Sequence, residues 1–550
     1  MLFTVRPNNN ILNYTTMRSI KLIFPFLFLL LPFYKSGAQT TGQEHPNVIF
    51  FIADDMTRDM FNFLPESKGA NLTPNLDKLS KEGTILMGQH VSSTVCTPSR
   101  YSVLTGKYAS RAHNPGFLRQ TQKNDGQRVV EWNTHILPSD TSLAKILKHN
   151  GYRTGAVGKN HVIEVKDWED IPLSADTASD RVMEQQIENY RLTVEAFQKT
   201  GFEYADGIFY ENPDFNGPRA LAVHNLDWTT EAALEFLQQQ DDRPFFLYFA
   251  TTLPHGPKEA DRSWNADRRI TPIGILEEAP DVLPHKSTIP ERLNEAGIKV
   301  NNDNANLLWL DDAIGALIKG LKEEGLYDNT IIFFFNDHGQ FAKGTVYQGA
   351  TCNPSIVWKS DGFKVGHETD ALVSNVDFTP TILDFANVDF TNCSFDGESF
   401  VDVLEAEEFE SRESLYFEIG YSRGIRKGRY KYIALRYPEW VKELTQKDRK
   451  RILAAYNKKL KLRGRKPNNT DPTEPFGHVQ IIPGGGDAEF FATKRYPNYA
   501  ERDQLYDLEK DPHEKNNLAD DPEYHEVLEQ LKAELSEYIE SLPGKFGEFD

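Results

Sequence analysis

Val48-Ile49-Phe50-Phe51-Ile52-Ala53-Asp54-Asp55 is the stretch that sets the fold class. Six apolar residues in succession, with no helical period, read as a strand buried on both faces, and two carboxylates follow without a spacer. The pattern returns twice. Residues 245–250 (FFLYFA) run into Thr251-Thr252-Leu253-Pro254-His255, and residues 331–335 (IIFFF) run into Asn336-Asp337-His338-Gly339. Helical patterns lie between them, among them residues 76–82 (LDKLSKE) and 141–149 (TSLAKILKH), the second opening on a Ser/Thr cap. Alternation of this kind predicts an α/β fold, a large mixed and mostly parallel sheet sandwiched by helices. The carboxyl ends of such strands form the ligand crevice, so three polar strand ends predict one shared site. From Tyr416 the character changes to short strands (LYFEIG, GIRKGRYKYIAL), a polar loop with Gly484-Gly485-Gly486, and a helix over residues 524–541. A smaller C-terminal α+β subdomain with an antiparallel sheet is expected there. The expected partition is 1–38, 39–410 and 411–550.

Composition narrows the function classes. With 550 residues, 39% hydrophobic and 12% aromatic, the chain can bury a large core, which excludes wholesale disorder. A net charge of −20 repels a phosphate backbone over most of the surface and argues against general nucleic-acid binding. Three cysteines, Cys96, Cys352 and Cys393, provide neither a disulfide scaffold nor a Cys-based zinc module. Residues 1–38 read as a signal peptide: a basic start at Met17-Arg18-Ser19-Ile20-Lys21, an apolar run over 22–32, and small residues Ser36-Gly37-Ala38 for cleavage. Met17 is a candidate initiator. The expectation is an exported protein, periplasmic or secreted, with no membrane span in the mature chain.

Asp54, Asp55 and Asp337 would repel one another in a common cavity, and a hard divalent cation resolves that repulsion, Ca²⁺ or Mg²⁺ before zinc. His338 adds one nitrogen ligand. The segment Cys96-Thr97-Pro98-Ser99-Arg100-Tyr101-Ser102-Val103-Leu104-Thr105-Gly106 admits a plain reading: a buried thiol before a helix that starts at Pro98 and Ser99, with Arg100 facing an anion one turn later.

This segment resembles the signature of the formylglycine-dependent type I sulfatases of the alkaline phosphatase superfamily, Cys-x-Pro-Ser-Arg followed by Leu-Thr-Gly. Gly151-Tyr152-Arg153-Thr154-Gly155-Ala156-Val157-Gly158-Lys159-Asn160-His161 is similar to the family's second signature, ending in Gly-Lys-x-His. Thr73-Pro74-Asn75-Leu76-Asp77, Pro254-His255-Gly256-Pro257, Lys343-Gly344-Thr345 and residues 505–512 (LYDLEKDP) resemble further landmarks, in order, over roughly residues 46–520. The resemblance implies that Cys96 is oxidised to formylglycine (3-oxoalanine) by a formylglycine-generating or anaerobic sulfatase-maturating enzyme. It implies Asp54, Asp55, Cys96, Asp337 and His338 as ligands of Ca²⁺, or of Mg²⁺; His338 stands where many members carry Asn and others His. One hydroxyl of the aldehyde hydrate would attack sulfur, and loss of the proton from the other would expel sulfate. Arg100 would hold the diol, Lys159 and Lys343 would grip sulfate oxygens, His161 would act as base, and His255 would serve the leaving oxygen.

The implied substrate is a sulfate ester. Export points to a sulfated polysaccharide, algal such as ulvan or carrageenan, or a glycosaminoglycan. So does a basic island at 442–466, where eleven Lys or Arg face only Glu443 and Asp448, a net charge of +9. Its bland alternative is a solvated helix face. Three other readings of the chain stand beside this one: a formylglycine-dependent phosphonate or phosphodiester hydrolase, a non-catalytic sulfated-glycan-binding protein, and a thiol hydrolase pairing Cys96 with His161.

Overall fold

A computed structural model describes residues 45–239, 241–406, 410–462, 466–467 and 494–549. The signal-peptide reading at 1–38, the triple glycine at 484–486, and Arg463 and Arg465 of the basic island lie outside the described residues.

The opening stretch forms β1 (Asn47–Ala53), every residue of it buried. Its side chains alternate between two cores: Val48, Phe50 and Ile52 enter one, while Ile49, Phe51 and Ala53 enter the other. An uninterrupted apolar run is what a strand covered on both faces requires. The remaining strands of its sheet are β2 (Thr84–Leu86), β3 (Arg153–Lys159), β4 (Tyr204–Phe209), β5 (Phe245–Ala250), β6 (Thr330–Asn336), β7 (Ser355–Trp358) and β8 (Glu368–Thr369). The order is β8-β2-β7-β6-β1-β5-β3-β4, and only β7 runs against the others. Phe51 stacks on Phe249 of β5 at 4.8 Å and on Phe334 of β6 at 5.7 Å, tying the three central strands through one aromatic row.

Helices cover both faces. Those named below are α1 (Pro74–Glu82), α2 (Cys96–Thr105), α3 (Leu143–His149), α4 (Leu226–Leu237), α5 (Asn302–Glu323), α6 (Gln446–Leu462) and α7 (His525–Ser541). Ser142 caps α3 by accepting the Lys145 N–H at 3.3 Å, as its sequence suggests. The Thr73-Pro74-Asn75-Leu76-Asp77 landmark proves to be a docking point: the N–H groups of Asn75 and Leu76, at the start of α1, donate to the buried Asp311 of α5. A separate antiparallel sheet follows in the C-terminal region, β9 (Ser414–Ile419), β10 (Ser422–Lys427), β11 (Tyr430–Leu435) and β12 (Asp503–Asp507), paired in that order. Leu528, Leu531, Leu535 and Ile539 of α7 bury one stripe in its core. The architecture is the expected one. None of the described helices is long and apolar enough to cross a membrane.

Candidate active site

Register places the site. Ile52 of β1 pairs with Ala250 of β5, and Ala53 pairs with Asn336 of β6, so all three strands end at one level. The next residues stay bonded across the edge: Asp54 N–H donates to Leu253 O at 2.9 Å, and Asp337 N–H donates to Ala53 O at 3.1 Å. Asp55 then turns the chain in the left-handed region (φ 69°), a conformation Asp tolerates better than most residues, and its N–H donates to the Asp337 carboxylate at 3.2 Å. Asn336 pins this corner, accepting from Met56 N–H at 2.9 Å and donating to His338 O at 2.6 Å.

Cys96 opens α2, two residues before the start read from Pro98 and Ser99. Pro98 falls in the first turn, where a missing N–H leaves no helical bond unmade. The motif's remaining residues have visible duties. The Ser99 hydroxyl donates to the Asp337 carbonyl at 2.5 Å, fastening the helix to the end of β6. Arg100, fully buried, reaches the Asp337 carboxylate at 3.1 Å and Asp54 at 3.8 Å. Gly106 ends the helix in the left-handed region (φ 65°), where an added Cβ would meet Phe395 at 2.8 Å. In the second signature, Gly158 (φ 86°) lies so close to Ala250 O that a Cβ would stand 1.8 Å from it. That approach, at a register shift between Val157 and Gly158, aims Lys159 at the site.

Four donors converge: Asp55, Cys96, Asp337 and His338 each offer an atom, and these atoms all lie within 4.8 Å of one another. Ligands at about 2.3–2.6 Å from one Ca²⁺ stand at most about 5 Å apart, so the spacing fits a single cation. Asp54 sits beside this group with an oxygen 3.6 Å from Cys96 Sγ, and its other oxygen accepts from Lys159 Nζ at 2.6 Å. Lys343 Nζ lies 2.6 Å from Asp55 and 3.6 Å from Cys96 Sγ. His338 Nε2 lies 3.1 Å from Asp55 and 3.6 Å from Cys96 Sγ, and His255 Nε2 lies 3.3 Å from Asp55. Lys159 ends β3, and His161 (φ 53°), two residues on, places Nε2 3.4 Å from Glu211. Glu211 has no signal in the sequence that would mark it.

The electrostatics follow from this crowding. Burial opposes ionisation of Asp54, but Lys159, His255 and Arg100 outweigh it and hold the carboxyl far below its ordinary value. Lys343, His255 and His338 do the same for Asp55. Burial and Asp337 push the Cys96 thiol well above its ordinary value despite the two lysines. Burial, with Lys159 and Arg100 adding repulsion, lowers His161. Burial also lowers His255, partly offset by Asp55 and Asp54. His255 is the most open of these groups, its side chain 24% exposed, so it stands at the mouth. A cavity of about 490 Å³ lined by Tyr101, Thr105, Lys107, Arg111 and Ser541 lies elsewhere, and none of these site residues lines it.

Residues 46–388 match the Sulfatase family, and residues 336–461 match the C-terminal part of N-sulphoglucosamine sulphohydrolase. An ulvan-active sulfatase of Formosa agariphila is 24% identical over 91% of this chain and 75% of its own length. The human N-sulphoglucosamine sulphohydrolase is 24% identical over 90% of this chain and 89% of its own. A protein solved with its substrate D-glucosamine-2-N,6-O-disulfate shares the fold with a TM-score of 0.53 at 18% identity, covering 90% of this chain and 97% of that one. With the family matched over well more than half of its length, the chain belongs to the sulfatases and is a sulfuric ester hydrolase.

Proposed function

We propose that this chain is an exported sulfatase that removes sulfate from a sulfated polysaccharide or its oligosaccharides, with formylglycine made from Cys96 as nucleophile. One observation carries the reading. Cys96, 1% exposed, stands 3.6 Å from Asp54, His338 and Lys343, a nest of charged partners. A thiol donates and accepts hydrogen bonds weakly, and burial keeps this one protonated, which disfavours the thiol-hydrolase alternative. A geminal diol at the same position suits these partners, adding oxygen donors beside the carboxylate and imidazole and accepting from the Lys343 ammonium. Its two hydroxyls supply an attacking oxygen and, by loss of the second proton, the expulsion of sulfate.

Asp54, Asp55, Asp337, His338 and the modified Cys96 would hold one divalent ion. With oxygen in place of sulfur the donor set is oxygen-rich, which favours Ca²⁺ or Mg²⁺. The ion supplies charge that polarises the sulfate ester and the attacking hydroxyl. The chain's own residues do the rest. Arg100 orients Asp337 and offsets its charge. Lys159 and Lys343, buried and preorganised, meet the sulfate oxygens as point charges. His161, kept neutral by burial, accepts the diol proton, with Glu211 steadying its ring. His255 at the mouth protonates the leaving oxygen from Nε2 while Nδ1–H stays on Gly256 O, 2.8 Å away. Asp55 and Asp54 favour its charged form against the burial that lowers it.

The polysaccharide substrate draws on what the relatives are named for, ulvan in one and N-sulphoglucosamine in another. We assign catalysis to 39–410 and substrate reach to 411–550. The test is the mass of the tryptic peptide holding Cys96 from active enzyme, together with turnover of sulfate and phosphate esters of one phenol. The formyl mass and preference for sulfate are expected; an unmodified thiol in active enzyme would overturn the proposal.

A further inference from the structure

Of the four large apolar side chains that stand exposed among the described residues, Phe341 is the only one with a ring, at 53% exposure. It lies two residues before Lys343, in the turn Gln340–Ala342 that leads from the site to the surface. Its edge rests on Gly349, where an added Cβ would meet it at 2.9 Å. The Arg495 guanidinium carbon sits 4.2 Å from the ring centroid, and Nη1 donates to the Phe341 carbonyl. Arg495 is therefore held in place while Nε–H and Nη2–H, the pair that grips an oxyanion side-on, have no partner among the described residues. Lys515 lies alongside, its ammonium 4.9 Å from the Tyr496 ring and bonded to the Arg495 carbonyl. Neither cation has a carboxylate within ion-pair distance among the described residues, on a chain of net charge −20.

An aromatic edge left in water beside a preorganised guanidinium fits a ligand that is apolar on one face and anionic at its rim. A sugar ring bearing sulfate or carboxylate has that character. We infer that Phe341 and Arg495, assisted by Lys515, form a subsite for the sugar next to the one being desulfated, recognising an oxyanion substituent on it. The inference rests on the sulfated-glycan reading above. It makes the enzyme sensitive to the charge of a neighbouring sugar that the chemistry itself never touches, because Lys343 takes the reacting sulfate and Arg495 packs on Phe341, two residues before it.

The experiment compares Phe341→Ala, Phe341→Tyr and Arg495→Gln with wild type. Substrates are an aryl sulfate, the best-turned-over oligosaccharide from a panel of ulvan, carrageenan and glycosaminoglycan fragments, and a counterpart whose neighbouring sugar is neutral. The ratio of kcat/KM for oligosaccharide over aryl sulfate should fall about ten-fold in Phe341→Ala and Arg495→Gln, through KM, and recover in Phe341→Tyr. Arg495→Gln should lose nothing on the neutral-neighbour substrate. An anionic neighbour carrying sulfate in one fragment and carboxylate in another tells which oxyanion is preferred. An unchanged ratio, or equal loss on every substrate, overturns the subsite and leaves the sulfatase reading standing. Wild type that turns over no sugar sulfate overturns both.

Discussion

This acidic chain gathers positive charge in two places, and it handles them in opposite ways. At the carboxyl edge of the central sheet, Arg100, Lys159 and Lys343 are at most 5% exposed, and each lies within 3.1 Å of a carboxylate. On α6, Lys450, Arg451, Lys458, Lys459 and Lys461 are exposed, while Leu453, Tyr456 and Leu460 bury the opposite stripe. The first set works by position, since a buried charge without its partner is costly and geometry decides every energy. The second works as a field, which water and salt attenuate over ~10 Å at 0.1 M. In this contrast the buried cations fix geometry, and the exposed cations of α6 supply attraction.

The largest effect expected is at Cys96. Cys96→Ala should abolish sulfate-ester hydrolysis while its thermal melt stays near that of wild type, because a small buried side chain is lost without uncovering a charge; measurable turnover would refute the nucleophile. Cys96→Ser should be equally inactive unless the producing cell modifies serine. Next come the partners. Asp337→Asn or Asp54→Asn should lower kcat by at least about 100-fold and reduce bound metal per chain, read by elemental analysis. Removing one member of a buried pair also costs about 3–5 kcal/mol of stability, so melts must be recorded beside the rates. If these variants lose no more than the α6 variants, the contrast between the two regions is wrong.

Gly158→Ala tests whether position carries the first region. The φ of 86° and the Ala250 carbonyl 1.8 Å from an added Cβ force β3 away from β5, which should displace Lys159 and cut activity more than ten-fold without altering any charge. A pH titration comes next. Burial, with His255 nearby, pushes His224 down to about 3 from an ordinary 6.5. The folded chain keeps His224 neutral while the unfolded chain takes up a proton, so its contribution is complete above about pH 6.5 and is lost as pH falls toward 3. Denaturant unfolding between pH 7 and 4.5 should show stability falling with pH, and His224→Gln should lessen that slope by up to ~1.4 kcal/mol per pH unit.

The smallest effect belongs to α6. Replacing Lys458, Lys459 and Lys461 with Gln should raise KM for a sulfated polymer a few-fold, leave kcat unaltered, and flatten its dependence on ionic strength. An aryl sulfate should respond to neither change. Equal salt effects on polymer and aryl sulfate would mark α6 as a solvated face.

Much of this was legible in the chain because local pattern carries it. Two-faced burial leaves an uninterrupted apolar run, so β1, β5 and β6 stood out with their polar ends, and α3 declared its cap. Of the residues the fold brings together, Cys96, Arg100, Lys159 and His161 stood in the two signatures, Asp54, Asp55, His255, Asp337 and His338 at the polar ends of the three strands, and Lys343 in a further landmark. What escaped were short elements and distant partners. β2, β7 and β8 span two to four residues each and show no period. The start of α2 at Cys96 was hidden because proline is tolerated throughout a first turn. Lys159 against Asp54, Glu211 behind His161, and Arg495 over Phe341 join residues 50 to 154 positions apart, for which one sequence holds no local cue.

The turn that brings Lys343 to Cys96 is itself fastened from far downstream. Tyr496 stacks on Tyr347 at 3.7 Å, Gln504 accepts from the Tyr347 hydroxyl at 2.6 Å, and Glu514 accepts from Gln348 N–H at 2.6 Å. These fasteners are synthesised roughly 400 residues after Cys96, which at about 5–20 residues per second is on the order of 20–80 s. For that interval the growing chain holds a cysteine that its own cover has yet to lock away. Under the oxidation proposed for Cys96, the order of the residues leaves an interval in which a maturating enzyme reaches the thiol before its cover closes.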